Sequence, residues 1–229
     1  MFDPAAIRAI TLDLDDTLWP VRPVIERAEA QLQAWLQVHA PRASALPLER
    51  RQALRRQVAL AHAAQAHDLG HLRREAIRAC LHDAGEDPAL AEPAYALFDE
   101  WRQRVTFYDG CLPALARLAA RYPLIALSNG TADVFRTEAA PYFRAAVQAH
   151  AVGVAKPDPR IFAVALAHAD AAPAQVLHVG DDAHHDVLGA RASGMPVAWV
   201  QPHDTPWTHE GAPPVRLAHV RELCDHLLA

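Results

Sequence analysis

Apolar residues fall in two textures along this chain. Ile7 to Leu12 is apolar except for Arg8 and Thr11, a short run of the kind expected for a strand buried on both faces. From Val24 to about Val105 the spacing becomes helical. Val24, Ala28, Leu32, Trp35 and Leu36 form one stripe, and Leu48, Leu54, Val58 and Ala61 a weaker one after Pro47. Leu72, Ala76, Ile77, Cys80 and Leu81 form a third, stopped by Gly85. Leu90, Ala94, Leu97, Phe98, Trp101 and Val105 form a fourth, starting near Pro88. This predicts a bundle of about four helices with no strand in it.

After the turn at Asp109-Gly110 the texture changes to helices alternating with short buried strands. The pattern predicts helices over 112–121, 132–139, 159–168, 182–193 and 215–228. It predicts strands over 123–129, 145–150, 175–181 and 196–200, with Gly194 placed to end the helix before it. Residues 202–214 read as loop. Alternating strands and helices mean an α/β fold with a parallel sheet and right-handed crossovers. The first strand belongs to that sheet, so the helical bundle is an insertion. The expected organisation is a core of 1–19 and 107–229 with an inserted domain of 20–106.

Polar residues bunch where strands end, and an open parallel sheet binds ligands outside its carboxyl ends. The first strand runs into Asp13, Asp15, Asp16 and Thr17. Three carboxylates in four residues repel and raise one another's pKa unless a cation neutralises them. A hard divalent cation held by oxygen ligands is the simplest neutraliser. Further strand ends supply Ser128, Asn129 and Gly130, and Gly180, Asp181 and Asp182, with Asp186 one helical turn on. Lys156-Pro157 lies between them. His184 and His185 read as exposed helix-start residues, because imidazole suits softer metals.

Composition narrows the function classes. Apolar residues make up 52% and charged residues 21% of the 229, which indicates a globular chain. A net charge of −5 gives no basic face for nucleic acid. Cys80, Cys111 and Cys224 are scattered, as buried thiols in a reducing compartment would be. No apolar run approaches the roughly 20 residues that cross a bilayer, and Met1 to Pro4 carries no signal-peptide pattern. A cytoplasmic protein, monomeric or homodimeric, with neither nucleic acid nor membrane as partner, is expected.

Asp13-Leu14-Asp15-Asp16-Thr17, Ser128-Asn129-Gly130, Lys156-Pro157 and Gly180-Asp181-Asp182 through Asp186 stand in the order of four motifs. Through them the chain resembles the haloacid dehalogenase-like (HAD) hydrolases. The resemblance implies a Rossmann-like sheet of strand order 5-4-1-2-3 with an inserted helical cap. It implies a nucleophile at Asp13 and a general acid and base at Asp15. Mg²⁺ would be held by Asp13, Asp181 and the backbone carbonyl of Asp15, with Asp182 or Asp186 behind it. Ser128, Asn129, Gly130 and Lys156 would bind the phosphoryl group. Trp19 and Arg22, close after the nucleophile, would touch the substrate. The dehalogenases of the family need no acid two residues after the nucleophile, so Asp15 favours phosphoryl transfer.

Further strings, Arg22-Pro23-Val24-Ile25-Glu26-Arg27 and Val176-Leu177-His178-Val179-Gly180-Asp181-Asp182 among them, are similar to a bacterial subgroup. Its members dephosphorylate 5-amino-6-(5-phospho-D-ribitylamino)uracil in riboflavin synthesis, and FMN. The expected function is a Mg²⁺-dependent phosphomonoesterase acting on a small phosphorylated metabolite. The rivals are a sugar phosphomutase, a haloacid dehalogenase and a non-catalytic binding module on the same fold.

Overall fold

The computed structural model describes residues 2–201 and 205–228. The chain divides into two compact units, Met1–Pro20 with Thr106–Ala229, and Val21–Val105.

The first unit is built on a six-stranded parallel sheet in the order β3-β2-β1-β4-β5-β6. β1 (Ala9–Leu12), β2 (Leu124–Ser128), β3 (Ala145–Gln148), β4 (Val176–Gly180) and β5 (Val197–Val200) give the expected 5-4-1-2-3 arrangement. Every residue of β1 is buried, as its apolar run requires of a central strand flanked by β2 and β4. β6 (Val215–Leu217) adds an edge strand where the pattern predicts helix. The β-branched start of that segment pairs with β5, Ala198 opposite Val215, and edge pairing overrides the helical spacing. Helix begins only after His219, whose ring nitrogen accepts from the Arg221 amide.

The 132–139 segment also departs from expectation. It forms two 3₁₀ turns, Val134–Arg136 and Ala140–Tyr142. Asp133 caps the Phe135 amide and the Thr137 hydroxyl donates to the Val134 carbonyl, local bonds that compete with an α-helical ladder.

In the second unit, α1 (Val21–His39), α2 (Pro41–Ser44), α3 (Leu48–Ala61), α4 (Leu69–Asp83) and α5 (Ala91–Arg102) surround a small core. Ala28, Leu32, Leu36, Ile77, Leu81, Ala94 and Phe98 form it. α3 contributes only Leu54 to the buried set, which is why its stripe is the weakest in the sequence. Arg102 is buried.

Back in the sheet-bearing unit, α6 (Cys111–Ala119), α7 (Ala149–Val152), α8 (Pro159–Ala169), α9 (Gly189–Ala192) and α10 (Leu223–Leu227) complete the helices. α8 starts with Asp158 accepting from the Arg160 amide and with proline at its first position, two strong initiation signals. Its Ile161, Phe162 and Ala165 pack with Ala9, Ile125, Val176 and Val187. The helix predicted over 182–193 is π-helical over Ala183–Leu188 before α9. Wide turns of this kind concentrate at functional sites. Among the described residues, no helix is long and apolar enough to cross a membrane.

Candidate active site

β1 delivers Asp13 to the sheet's carboxyl edge, where its amide still donates to the Val179 carbonyl of β4. The residue is 7% exposed. A buried carboxylate needs a cation, and Lys156 supplies it: Nζ lies 2.6 Å from Asp13 Oδ1, 2.6 Å from Asp186 Oδ1 and 2.9 Å from the Leu127 carbonyl. All three ammonium hydrogens are therefore engaged. Asn129 holds that lysine from the end of β2. Its Oδ1 accepts from the Lys156 amide at 2.7 Å and its Nδ2 donates to the Lys156 carbonyl at 3.0 Å. Ser128 is buried beside it and accepts from the Gly130 amide.

Asp186 reaches the cluster because β4 ends in glycine. A Cβ on Gly180 would sit 2.3 Å from Asp186 Cγ. Asp186 Oδ2 accepts from the Asp182 amide at 3.0 Å, and Oδ1 faces both Lys156 and His178 Nε2, the latter at 3.0 Å. Asp182, expected behind the metal, accepts the His184 and His185 amides at the start of the π-turn. Those two histidines are exposed, as expected.

The turn after β1 is tight. Asp16 sits in the left-handed region at φ 58, which glycine adopts most readily and aspartate more readily than most other residues. Thr17 Oγ1 lies 3.3 Å from Asp181 Oδ1 and 3.5 Å from Asp13 Oδ2. Trp19 is fully buried, edge-on to Phe107 at 5.1 Å, and its indole N–H donates to Asp15 Oδ1 at 2.8 Å. Trp19 thus reaches the site through Asp15. Arg22 lies on α1 in the other unit, exposed and paired with Glu26 at 2.8 Å.

Several residues at this site escape a motif reading. The Trp199 indole and the Gln201 amide both donate to the Asp181 carbonyl, at 2.6 and 2.9 Å, and so hold the loop that carries that carboxylate. His178 and Thr11 lie inside the sheet. The available signal was a histidine in the middle of a run otherwise fit only for the core.

Asp13, Asp181 and Asp186 each offer an oxygen within 4.8 Å of the others. Burial pushes the Asp13 carboxyl well above its ordinary value, with Asp186 and Asp181 adding to it against Lys156. Burial, then Asp186 and Asp16, push Asp181 up to about 7. Burial also penalises charged Asp186, but Lys156 and His178 outweigh it and hold the carboxyl below its ordinary value. Burial pulls the Lys156 ammonium down, yet Asp13 and Asp186 together keep it above its ordinary value. His178 is pushed down by burial and so is neutral. Three carboxylates against one ammonium leave an excess of negative charge carried on hard oxygens. That donor set fits Mg²⁺. Both Asp186 oxygens are engaged elsewhere, so Asp13 and Asp181 are the side chains that would hold the ion.

This has a measurable consequence. A carboxyl raised to about 7 binds its proton more tightly folded than unfolded. Its stabilising contribution is full below the unfolded value near 4 and is lost as pH rises through about 7. In chelator the melting temperature should therefore fall from pH 5 to 8, and Mg²⁺ should restore it most at the alkaline end. Scanning fluorimetry with and without Mg²⁺ checks this; parallel curves would show that Asp181 does not meet the ion.

Comparison with known proteins agrees with the geometry. Residues 7–194 match the family described as haloacid dehalogenase-like hydrolase. Over 202 residues the chain is 34% identical to the 5-amino-6-(5-phospho-D-ribitylamino)uracil phosphatase YigB of Escherichia coli (strain K12), spanning 86% of this chain and 85% of that protein. It is 32% identical over 160 residues to the phosphoserine phosphatase of Thermus thermophilus, 67% of this chain and 64% of that one. A crystal structure described as a 2-haloacid dehalogenase from Pseudomonas syringae pv. Tomato DC3000 superposes with a TM-score of 0.91 at 34% identity, over 97% of this chain and 98% of that one. Matched over most of its length and folded in the same way, this chain belongs to the haloacid dehalogenase-like hydrolases.

Proposed function

We propose that the protein is a Mg²⁺-dependent phosphomonoesterase that works through an aspartyl-phosphate on Asp13. The observation that carries the reading is Asp15, held by the Trp19 indole two residues beyond a nucleophile already paired with Lys156. An Asp13 oxygen attacks phosphorus and the ester oxygen departs. Asp15 gives that oxygen its proton, a contribution of roughly 10²–10⁴-fold. Asp15 then takes a proton from water, which attacks the aspartyl-phosphate and frees inorganic phosphate and Asp13. The Ser128 hydroxyl and the Asn129 and Gly130 amides receive the phosphoryl oxygens. Lys156 acts first on the charge of Asp13 and Asp186, since its three donors are engaged by them and by the Leu127 carbonyl, and meets the phosphoryl group by exchanging one of those bonds. Asp13, Asp181 and the Asp15 carbonyl would hold Mg²⁺, which would supply the positive charge that lets a phosphate dianion approach.

The substrate class is a small phosphorylated metabolite. Similarity to YigB supports 5-amino-6-(5-phospho-D-ribitylamino)uracil, or FMN, as its member, and hence a place in riboflavin synthesis within the cytoplasm. The net charge of −5 suits neither a nucleic-acid partner nor an anionic membrane surface, and the enzyme acts as a monomer or homodimer.

The Pseudomonas syringae structure favours a second reading, haloacid dehalogenation. A departing halide needs no proton, which would leave Asp15 without a task. One preparation decides between the two. With Mg²⁺ it should release phosphate from p-nitrophenyl phosphate and from a panel of sugar, nucleotide and flavin phosphates, and no halide from 2-haloalkanoates. Halide release without phosphate release would reverse the assignment, and a requirement for a bisphosphate activator would point to a mutase. Release of neither would leave a binding module.

A further inference from the structure

We propose that His178 is a positioning residue of this site: held in one tautomer by Thr11, it clamps Asp186 so that Lys156 stays fixed against Asp13. The inference deepens the phosphatase reading and rests on it.

His178 sits in the middle of β4, fully buried, directly opposite Thr11 of β1. A polar ring there is costly unless both its nitrogens are bonded. Both are. Nδ1 lies 2.8 Å from Thr11 Oγ1 and Nε2 lies 3.0 Å from Asp186 Oδ1. An ionised carboxylate only accepts, so Nε2 carries the hydrogen and donates. Nδ1 is then bare, and the Thr11 hydroxyl donates to it. The Phe162 ring meets the imidazole edge at 5.5 Å and 84°, which leaves it little room to swing.

The chain of bonds runs Thr11, His178, Asp186, Lys156, Asp13, wholly through buried groups. Asp186 Oδ1 receives both the imidazole and the ammonium, while its Oδ2 is fixed by the Asp182 amide. Three donors from three directions set the carboxylate plane. Without the imidazole, Asp186 can turn toward Lys156 and draw the ammonium off Asp13. The position of the nucleophile's second oxygen, Oδ2, would then no longer be defined.

The alternative is that His178 only fills space, and two substitutions separate the cases. His178→Leu keeps bulk and removes the donor. His178→Gln carries an amide N–H to about where Nε2 lies. The Leu variant should lose about 10–100-fold in kcat, the usual effect of removing a partner behind a catalytic group, with KM for p-nitrophenyl phosphate little changed. The Gln variant should recover most of that loss. A role in packing alone would not produce this rescue. In the wild type, long-range ¹H–¹⁵N correlation should show His178 protonated at Nε2 and bare at Nδ1, and Thr11→Val should shift the Nδ1 resonance.

A folded Leu variant with wild-type kcat would overturn the proposal, as would a Gln variant as impaired as Leu, or protonation at Nδ1. If the Leu variant does not fold, the Gln kinetics and the Thr11→Val spectrum decide. If the wild type hydrolyses no phosphomonoester, the functional reading fails, and the tautomer measurement still tests the arrangement.

Discussion

Asp13→Asn should cost at least about 10⁴-fold in kcat, the scale seen when a nucleophile is removed, and leave the fold intact. Asparagine is isosteric and keeps an oxygen to accept from Lys156, so the geometry at the end of β1 survives. An amide cannot form the acyl phosphate, so the first displacement has no attacking group. Stability should hold or rise. Burial, Asp186 and Asp181 push the Asp13 carboxyl well above its ordinary value, so at neutral pH its ionised form is a burden on the folded state. Removing a charge whose folded value is raised removes a contribution that is lost as pH increases. Steady-state hydrolysis together with a thermal melt checks both halves. Hydroxylamine should trap an acyl phosphate in the wild type and none in the variant. A folded Asn variant within about tenfold of the wild-type kcat would sink the covalent mechanism.

Much of this architecture was legible because it follows from burial. A strand flanked on both sides must be apolar, and β1, β2 and β4 read so. Polar groups unsuited to the middle of an apolar strand collect at the sheet's carboxyl edge, which places Asp13, Asn129 and Asp181. The edges were less legible. β6 pairs through a short edge contact that outweighs helical spacing, and 132–139 is decided by local side-chain bonds at Asp133 and Thr137. The supporting layer of the site was the least legible. Trp19 acts through Asp15, four positions before it, whereas Trp199 and Gln201 act through Asp181, 18 and 20 positions away, and His178 through Asp186. Nothing at their own positions distinguishes an indole that holds a carboxylate from one that fills the core. The roles of Asn129 and Asp182 had to wait for geometry as well: one clips the Lys156 backbone, the other caps a turn.

Lys156→Met should be the most destabilising single change in the core, by about 3–5 kcal/mol, because it leaves two buried carboxylates with no cation. For a chain of this size that corresponds to a fall of about 6–20 °C in melting temperature. Methionine matches the lysine stem in length and polarity, so lost charge rather than lost volume dominates. The pH dependence identifies the cause. In the wild type, Asp186 is held below its ordinary value, so its contribution is present above the unfolded value near 4 and survives into strong acid. In the variant, burial raises both Asp13 and Asp186, opposed at Asp186 by its bonds to His178 and the Asp182 amide. Groups raised in this way stabilise fully below the unfolded value and lose that contribution as pH climbs through the raised one. The deficit against the wild type should therefore be small near pH 4 and reach its full size by neutrality. Denaturant titrations of both proteins in chelator at pH 4, 5.5 and 7 give the comparison. Adding Asp186→Asn to the variant should restore part of the stability at pH 7 without restoring turnover, since it removes one uncompensated charge and leaves the nucleophile unpaired. A deficit of equal size at every pH would mean that packing around the lysine stem, and not the ion pairs to Asp13 and Asp186, holds this part of the molecule together.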